Sequence, residues 1–588
     1  MVNLQGKNKK NALKNFWSTL ISPKYLRIIE ILIAFITSAI IGFMFATYAQ
    51  GGPNSSDLTY YMNIGLNGLK ETFVLNRYFH IFLQQIFIEL ASYPMEGYHM
   101  FWGFLMGLNT FMIFISARKA LVKSNFLHGI LAVLIFFSIS IIGDISGVIV
   151  VDLTAMTMMT ALLTVYILSA NKEHANPWII GSFGVLLFLA FKTKETTLPA
   201  WVLLIGMGWI DKESFKIKNF LKNMIWVAGG VLVGAVIFAI LNWIFLEDPL
   251  FGFRPREWRE FSQTYVSYSS NVLATLNALG DGNLDNWYEG YWFEYTLMPF
   301  LFFLIGGVKL GRKVSIPRKV LWLVPLALIV FLIISINNRI GYLPRFGMPV
   351  LGILSILAPQ FIDLRIPESK AARKKFFAFL AAGLALVVGI RLVMQLVIPA
   401  QNYHLGSVVT LVYYPLLITL LLASLFMFRD NALWNLINFL ILFSLVISPI
   451  SSNYRLMFVQ RPNQDIYEQV VFVFSEYEDI IDYEPDMRFY AVDTVFTKSV
   501  LRIGKNIDEL VALFNVYFDA RATRENFVYA EEPQDVADDI LAEEYDYVLM
   551  ASENWRAVKR NGEKLNQVLE RYQPHENSTG IFVMLTLR

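Results

Sequence analysis

Acidic residues occur beside or inside long apolar segments of this 588-residue chain. Asp57 lies in GGPNSSDLTYYMNIG, and Asp144 and Asp152 stand on either side of the run ISGVIVV, about 12 Å apart if that run is helical. An ionised group at membrane depth is costly, so each of these residues is a functional candidate. A carboxylate within reach of a hydroxyl can accept its proton as a general base. We therefore expect Asp57, Asp152 and Asp144 to be catalytic.

Basic residues occur in the same parts of the chain. Lysine and arginine stabilise the negative charge that grows on a departing phosphate. The candidates for binding such a phosphate are Lys194, Arg345, Arg339, Arg256 and Arg259. Together with a carboxylate base, they suit the transfer of a sugar from a lipid phosphate to a hydroxyl group. The candidates for positioning the substrate are Tyr60, Tyr61, Arg77 and His404.

Each candidate also has a purely structural explanation. Asp57 can cap a helix, and Asp152 can satisfy a buried hydroxyl or lysine. Lys194 can extend to lipid headgroups, as lysines near the ends of membrane helices do. A histidine such as His404 is more often an ordinary loop residue than a ligand. These alternatives stay open at the level of the sequence.

Long apolar segments must position these residues. The chain is 56% hydrophobic and only 16% charged, whereas soluble proteins have about 25% charged residues. A bilayer core of about 30 Å takes about 20 helical residues. Thirteen segments fit that length: 26–48, 97–116, 125–143, 147–169, 177–192, 196–210, 223–246, 291–308, 320–336, 346–362, 376–398, 407–427 and 432–450. The sequence predicts an α-helical, multi-pass membrane protein.

The charge distribution predicts which side of the membrane each part faces. The net charge of +2 combines an excess of 13 basic residues in 1–450 with an excess of 11 acidic residues in 451–588. Lys and Arg concentrate in alternate loops, which the positive-inside rule assigns to the cytoplasm. The N-terminus is then cytoplasmic, and the acidic C-terminal part is extracytoplasmic. The chain has no cysteine, so disulfides and thiolate sites are excluded.

Two long loops, 49–96 and 247–290, fall on the outer side in this arrangement. Within the first, residues 75–94 form an apolar stretch with polar residues at helical spacing. Counting it as a span would destroy the charge bias, so we expect an amphipathic helix in the membrane interface, with Arg77, His80 and Glu89 facing water. The second loop mixes arginines with Trp258 and tyrosines, which suits contact with lipid headgroups or an aromatic belt with extended arginines.

Residues 451–588 are expected to form a separate soluble α/β domain, following the membrane domain 1–450. MRFYAVD, NFVYA, YDYVLM and GIFVMLTLR read as strands, and PQDVADDILAEEYD begins with a proline and has the apolar spacing of a helix. Strands that alternate with helices indicate an α/β fold. The domain contains no glycine-rich dinucleotide fingerprint and no P-loop.

The order of four motifs resembles the GT-C superfamily of membrane glycosyltransferases, over about residues 26–400. An Asp with nearby tyrosines opens the first outer loop (Asp57), and an acid stands at the head of the fourth span (Asp152). The stretch FLAFKTKETTLPAWVLL contains Lys194, and YLPRFGMPVLGIL contains Arg345. The pattern is most similar to the branch that includes protein O-mannosyltransferases and lipid A aminoarabinose transferases. One departure is Leu58, which occupies a position where the family often has a second acid.

The resemblance implies an inverting transfer from a polyprenyl-phosphate-linked sugar to an extracytoplasmic hydroxyl, with Asp57 as the catalytic acidic residue of the first loop. The implied partners are this donor, an acceptor that is a glycan, lipid or protein, and the bilayer; no nucleic acid is expected. No spacing of His, Asp or Glu demands a metal, although Asp57 could share a divalent cation with Asp144 or Asp152. The alternatives are a lipid or polysaccharide transporter or flippase, a surface-polysaccharide polymerase or ligase, and an inactive scaffold.

Overall fold

The structure is a computed structural model of the full chain. It describes residues 23–48, 56–91, 94–120, 124–139, 150–170, 176–208, 216–268, 320–324, 348–361, 486–492, 524–530, 535–576 and 582–588, together with isolated positions elsewhere. The side chains of residues 56–60 are not among those described.

The first half of the chain is helical. Its α-helices are α1 Pro23–Tyr48, α2 Ser56–Asn67, α3 Tyr78–Leu90, α4 Pro94–Lys119, α5 Phe126–Ser138, α6 Val150–Ala170, α7 Pro177–Phe191, α8 Leu203–Gly206, α9 Ile217–Leu246, α10 Pro255–Tyr268 and α11 Met348–Leu357. Short 3-10 helices occupy Thr72–Val74, Glu195–Val202, Val320–Trp322 and Ala358–Phe361. Among the described residues, α1, α4, α6 and α9 are long and apolar enough to cross a membrane.

Most predicted spans within the described residues coincide with helices. The segments 26–48, 97–116, 125–143, 147–169, 177–192, 223–246 and 346–362 correspond to α1, α4, α5, α6, α7, α9 and α11. The segment 196–210 differs, because its described part is a 3-10 helix containing Pro199, followed by the four-residue α8. The segments 291–308 and 407–427 lie outside the described residues, as do most of 320–336, 376–398 and 432–450. The number of spans therefore stays a prediction.

Close backbone contact joins α7 to α9. A Cβ atom on Gly230 would lie only 1.9 Å from the carbonyl oxygen of Gly181, so only glycine permits this approach. The opposite face of α9 exposes large apolar side chains, among them Ile225, Leu232 and Trp243. A long exposed apolar face is typical of contact with lipid, and it supports a membrane location.

Helix α3 corresponds to the predicted interfacial helix. It has 13 residues and is not among the helices long enough to span a bilayer. Its surroundings differ from the expectation, because most of its side chains are buried by α2, α4 and the residues around α10. The exposed residues of α3 are Ile86, Glu89 and Leu90, so Glu89 faces outward as expected.

The C-terminal part contains a five-stranded mixed sheet. Its elements are β1 Phe489–Val492, β2 Phe527–Ala530, α12 Val536–Ala542, β3 Tyr547–Ala551, α13 Ser552–Arg560, α14 Gly562–Arg571, β4 Tyr572–Glu576 and β5 Phe582–Leu587. The strand order is β2-β1-β3-β5-β4. Strand β1 is parallel to β2 and β3, whereas β5 is antiparallel to β3 and β4. The four strands and the helix predicted from the sequence are confirmed.

Candidate functional site

Asp152 and Lys194 form a buried ion pair. The Nζ atom of Lys194 contacts the Oδ1 atom of Asp152, and their side chains are 3% and 0% exposed. Asp152 lies in the first turn of α6, and Lys194 lies in the turn between α7 and the 3-10 helix that begins at Glu195. Asp152 therefore neutralises a buried lysine, which is the structural role considered for it from the sequence. Its Oδ2 atom has no hydrogen-bond partner among the described residues.

A second ion pair adjoins the first. The guanidinium of Arg77 binds the carboxylate of Glu195 through both terminal nitrogens, with Nη2 3.0 Å from Oε1. Asn76 donates its side-chain amide to Glu195 Oε2 at 2.6 Å and accepts from Arg77 at 2.7 Å. Because Lys194 and Glu195 are consecutive, the two pairs form one cluster, which we call the buried ion-pair network: Arg77, Asp152, Lys194 and Glu195.

His80 lies against this network. Its Nδ1 atom is 3.0 Å from the hydroxyl of Thr154, which is two residues after Asp152 on α6. The ring is fully buried, and its Nε2 atom has no hydrogen-bond partner among the described residues. Burial and the nearby charges of Arg77 and Lys194 lower the pKa of His80 to about 3. The imidazole is therefore neutral at physiological pH.

The carboxylate of Glu195 is ionised. Burial by itself raises the pKa of this carboxyl. The charge of Arg77, its hydrogen bond and the charge of Lys194 outweigh burial and lower the pKa to about 2. With neutral His80, the network holds two cations and two carboxylates, so its formal charge is zero. A neutral cluster does not by itself attract an anion. A phosphate that binds near it therefore requires additional cations or displaces one of the pairs.

Helix α2 packs on His80 through Tyr61. The ring of Tyr61 packs edge-on against the ring of His80, with their centroids 5.7 Å apart. Asp57 is four residues before Tyr61 on the same helix, and positions four apart share a helix face. The backbone therefore places position 57 on the α2 face that packs on His80. The side chains of Asp57 and Tyr60 are outside the described residues.

Helix α10 carries the other described arginine candidates. Arg256 is 89% exposed and forms an ion pair with Glu260, one turn further along the helix, at 3.0 Å. Arg259 is also exposed. The helix is held through Trp258, whose ring stacks on Phe191 at the end of α7. Both arginines are therefore on a surface, in contrast to the buried network.

The structure thus unites some of the candidates predicted from the sequence. Asp152, Lys194 and Arg77 meet in the network, and Tyr61 lies beside it. Arg256 and Arg259 are exposed on α10. The remaining candidates, Asp144, Arg339, Arg345 and His404, lie outside the described residues, so their roles stay predictions.

The prediction that Arg77 and His80 face water is wrong. Arg77 is 8% exposed and His80 is fully buried. The reason is that their partners, Glu195 and Thr154, come from distant parts of the chain, which the spacing within residues 75–94 does not reveal. Sequence reasoning also missed Asn76 and Glu195 as members of the network. The adjacency of Glu195 to Lys194 was a signal, since a carboxylate beside a membrane lysine needs a partner of its own.

No group of three or more His, Asp or Glu residues that could hold a metal ion occurs in the part of the chain that the structure describes. Asp152 is enclosed and paired with Lys194. A cation shared by Asp57 with Asp144 or Asp152 stays a proposal, because it depends on side chains beyond the described ones.

Comparison with solved structures identifies the architecture. The crystal structure of ArnT, a lipid A aminoarabinose transferase, from Cupriavidus metallidurans bound to undecaprenyl phosphate aligns with a TM-score of 0.53 and 13% identity, covering 94% of this chain and 97% of ArnT. The chain has the GT-C fold. The apo form of the same ArnT aligns with a TM-score of 0.51 and 12% identity over the same shares. The fold that the resemblance implies is therefore confirmed.

A further GT-C structure, the oligosaccharyltransferase of Archaeoglobus fulgidus, aligns with a TM-score of 0.42 and 11% identity, covering 89% of this chain and 70% of that one. No known family profile matches the sequence. No curated protein matches it either.

Proposed function

We propose that this chain is a membrane glycosyltransferase that transfers a sugar from a polyprenyl-phosphate carrier to an extracytoplasmic hydroxyl. The acceptor oxygen attacks the anomeric carbon of the sugar from the face opposite the phosphate. The bond from that carbon to the phosphate oxygen breaks, and the phosphate leaves with the electron pair. Asp57 takes the proton of the hydroxyl, and the configuration at the anomeric carbon inverts.

The observation that carries this proposal is the alignment with ArnT over nearly the whole length of both chains. That ArnT binds undecaprenyl phosphate, the kind of lipid that carries an activated sugar. The described helices supply the membrane setting that such a lipid requires. In the arrangement predicted from loop charges, the N-terminus is cytoplasmic, and the reaction takes place on the outer side.

The buried network has a positioning role in this proposal. It fixes α3 to α6 and to the turn before Glu195, and α3 supports α2 through the contact of His80 with Tyr61. Asp57 is thereby held on a rigid base, as a general base must be. Asp152 or Asp144 positions the site.

The donor phosphate needs cations beyond the neutral network. Arg256 and Arg259 are the candidates at the surface of α10, and Arg339 and Arg345 are the sequence candidates in the later loop. Lys194 contributes only if the phosphate competes with Asp152 for its ammonium group. Stabilisation of phosphate by several arginines is stronger than by one because their charges and hydrogen bonds act together.

The proposal is tested by incubating the purified protein in liposomes with labelled polyprenyl-phosphate sugars and a set of hydroxyl acceptors. We expect release of polyprenyl phosphate that depends on the acceptor, with the label appearing on the acceptor. Movement of the labelled lipid between leaflets, without cleavage of its sugar–phosphate bond, would instead favour a flippase. The absence of both cleavage and transfer with every donor tested would overturn the proposal.

A further inference from the structure

Lys192 is a buried lysine that does not belong to the ion-pair network. Its side chain is 2% exposed, and its Nζ atom donates a hydrogen bond of 2.7 Å to the carbonyl oxygen of Gly252. Aromatic rings surround the ammonium: Nζ is 4.8 Å from the ring centres of Phe238 and Trp258 and 5.2 Å from that of Phe253. This is the geometry of a cation held by π systems.

The partner of Lys192 is a tightly organised turn. Gly252 has a φ of +77°, a conformation that favours glycine. Its carbonyl also accepts a hydrogen bond of 2.9 Å from the indole nitrogen of Trp258, and its N–H donates to Glu257 at 2.7 Å. Arg254 binds both Glu257 and Asp248. These hydrogen bonds join the turn to the first residues of α10. The turn and the start of α10, residues 247–261, are referred to below as the 247–261 segment.

The backbone of Lys192 contacts the stretch of chain that contains Arg77 and His80. Its carbonyl oxygen accepts a hydrogen bond of 3.1 Å from the N–H of Phe79. Phe79 lies between Arg77 and His80 in sequence, and Lys194 is two residues after Lys192. Lys192 thus contacts the 247–261 segment through its side chain and the stretch around Arg77 and His80 through its backbone, and it lies in the same turn as Lys194.

Packing alone does not explain why position 192 holds a lysine. A methionine or leucine would fill the space between the rings without the cost of removing an ammonium from water. The lysine supplies what an apolar side chain cannot: a donor for the Gly252 carbonyl and a charge opposite to that of Glu257, with which it interacts electrostatically. Both interactions act on the 247–261 segment.

We infer that Lys192 is a positioning residue that fastens the 247–261 segment, and with it the arginines of α10, to the buried ion-pair network. The structural part of this inference is independent of the reaction. Its consequence for substrate binding rests on the proposed function, since it assumes that Arg256 and Arg259 contact the donor phosphate.

Hydrogen–deuterium exchange of the full-length protein in detergent tests the structural part. We expect Lys192→Met to accelerate exchange about tenfold in peptides covering residues 247–258, because the charged hydrogen bond to Gly252 is lost. Peptides from α4 and from the C-terminal sheet should not change. Lys222→Met, which replaces an exposed lysine of α9, is the control and should match the wild type.

A second variant separates the contribution of the hydrogen bond from that of the charge. Lys192→Gln keeps a donor without the charge, so its exchange should be intermediate between the wild type and Lys192→Met. It also covers the case in which Lys192→Met fails to fold. Wild-type exchange in residues 247–258 of either folded variant would overturn the inference, as would acceleration spread evenly over the whole chain.

Kinetics test the consequence for the substrate. With a polyprenyl-phosphate sugar as the donor, Lys192→Met should raise KM for the donor at least fivefold and change kcat less than twofold, because the chemical step at Asp57 is untouched. A fall in kcat with unchanged KM would contradict this consequence. If the wild type has no activity, the proposed function fails, whereas the exchange experiment still decides the role of Lys192.

Discussion

Removal of Lys194 should destabilise the protein more than removal of any exposed lysine. In Lys194→Met, Asp152 stays 0% exposed, its Oδ1 atom loses the ammonium, and its Oδ2 atom already lacks a hydrogen-bond partner among the described residues. Breaking one side of a buried ion pair costs about 3–5 kcal/mol. At about 1.4 kcal/mol for each tenfold change, the unfolding equilibrium shifts by on the order of a hundredfold or more.

The double variant Asp152→Asn/Lys194→Met removes both charges and therefore the uncompensated carboxylate. We expect it to lose less stability than Lys194→Met alone, because a pair of neutral side chains carries no charge-burial cost. The free energy of unfolding is measured by titrating SDS into mixed micelles and following helicity by circular dichroism. Lys218→Met, at an exposed position of α9, is the matched control and should change stability by less than about 0.5 kcal/mol.

Two results would refute this reasoning. If Lys194→Met is as stable as Lys218→Met, the ion pair is not a buried structural contact. If the double variant is less stable than both single variants, each side chain stabilises the fold through contacts outside the pair, and a lone buried charge is not the cause of the loss.

Three further predictions concern other parts of the structure. His80→Gln should flatten the pH dependence of stability. The pKa of His80 is about 3 in the folded state and 6.5 in the unfolded state, so the stability present above pH 6.5 decreases by about 2 kcal/mol as the pH falls to 5. Thermal unfolding at pH 7.5 and pH 5 measures this difference. Gly230→Val should separate α7 from α9 and lower stability by about 1–3 kcal/mol in the SDS titration, whereas Gly229→Val, at a position with open space, should have a smaller effect. Asp535→Ala should cost about 1 kcal/mol, because the Asp535 side chain caps α12 by accepting from the N–H of Ala537. Lys564→Met removes the exposed ion pairs with Asp535 and Asp538 but keeps the cap, so it should cost less in urea unfolding.

The helical architecture was predictable because apolar periodicity is a local signal. Helices α1, α4, α6 and α9 lie where the apolar segments predicted them. The segment 196–210 was not predictable in this way, since Pro199 and the turn at Lys194 produce a 3-10 helix within an equally apolar sequence. Hydropathy reports the surroundings of a segment and does not report its hydrogen-bonding pattern.

The C-terminal sheet shows the same limit. The alternating or fully apolar runs revealed β1, β2, β3 and β5, whereas β4 was missed. Its sequence YQPHE contains Pro574 and mostly polar residues. Strand β4 is at an edge of the sheet, where a proline is tolerated because one side of the strand needs no partner.

The members of the site were predictable one by one, but their pairing was not. Asp152 and Lys194 were selected because charges are rare in apolar segments, yet 42 residues separate them in sequence. Arg77 and Glu195 are 118 residues apart. Such contacts depend on how the helices pack, so a single sequence assigned Arg77 to water and gave Glu195 no role.

The central claim is that Asp57 removes the proton of the acceptor in a sugar transfer from a polyprenyl phosphate. Its most direct test is the turnover of Asp57→Asn in liposomes, compared with wild type under saturating donor, with unchanged donor binding as the folding control. We predict that kcat falls by about 10²–10⁴-fold, the usual contribution of a general base. Wild-type turnover in Asp57→Asn would contradict the account.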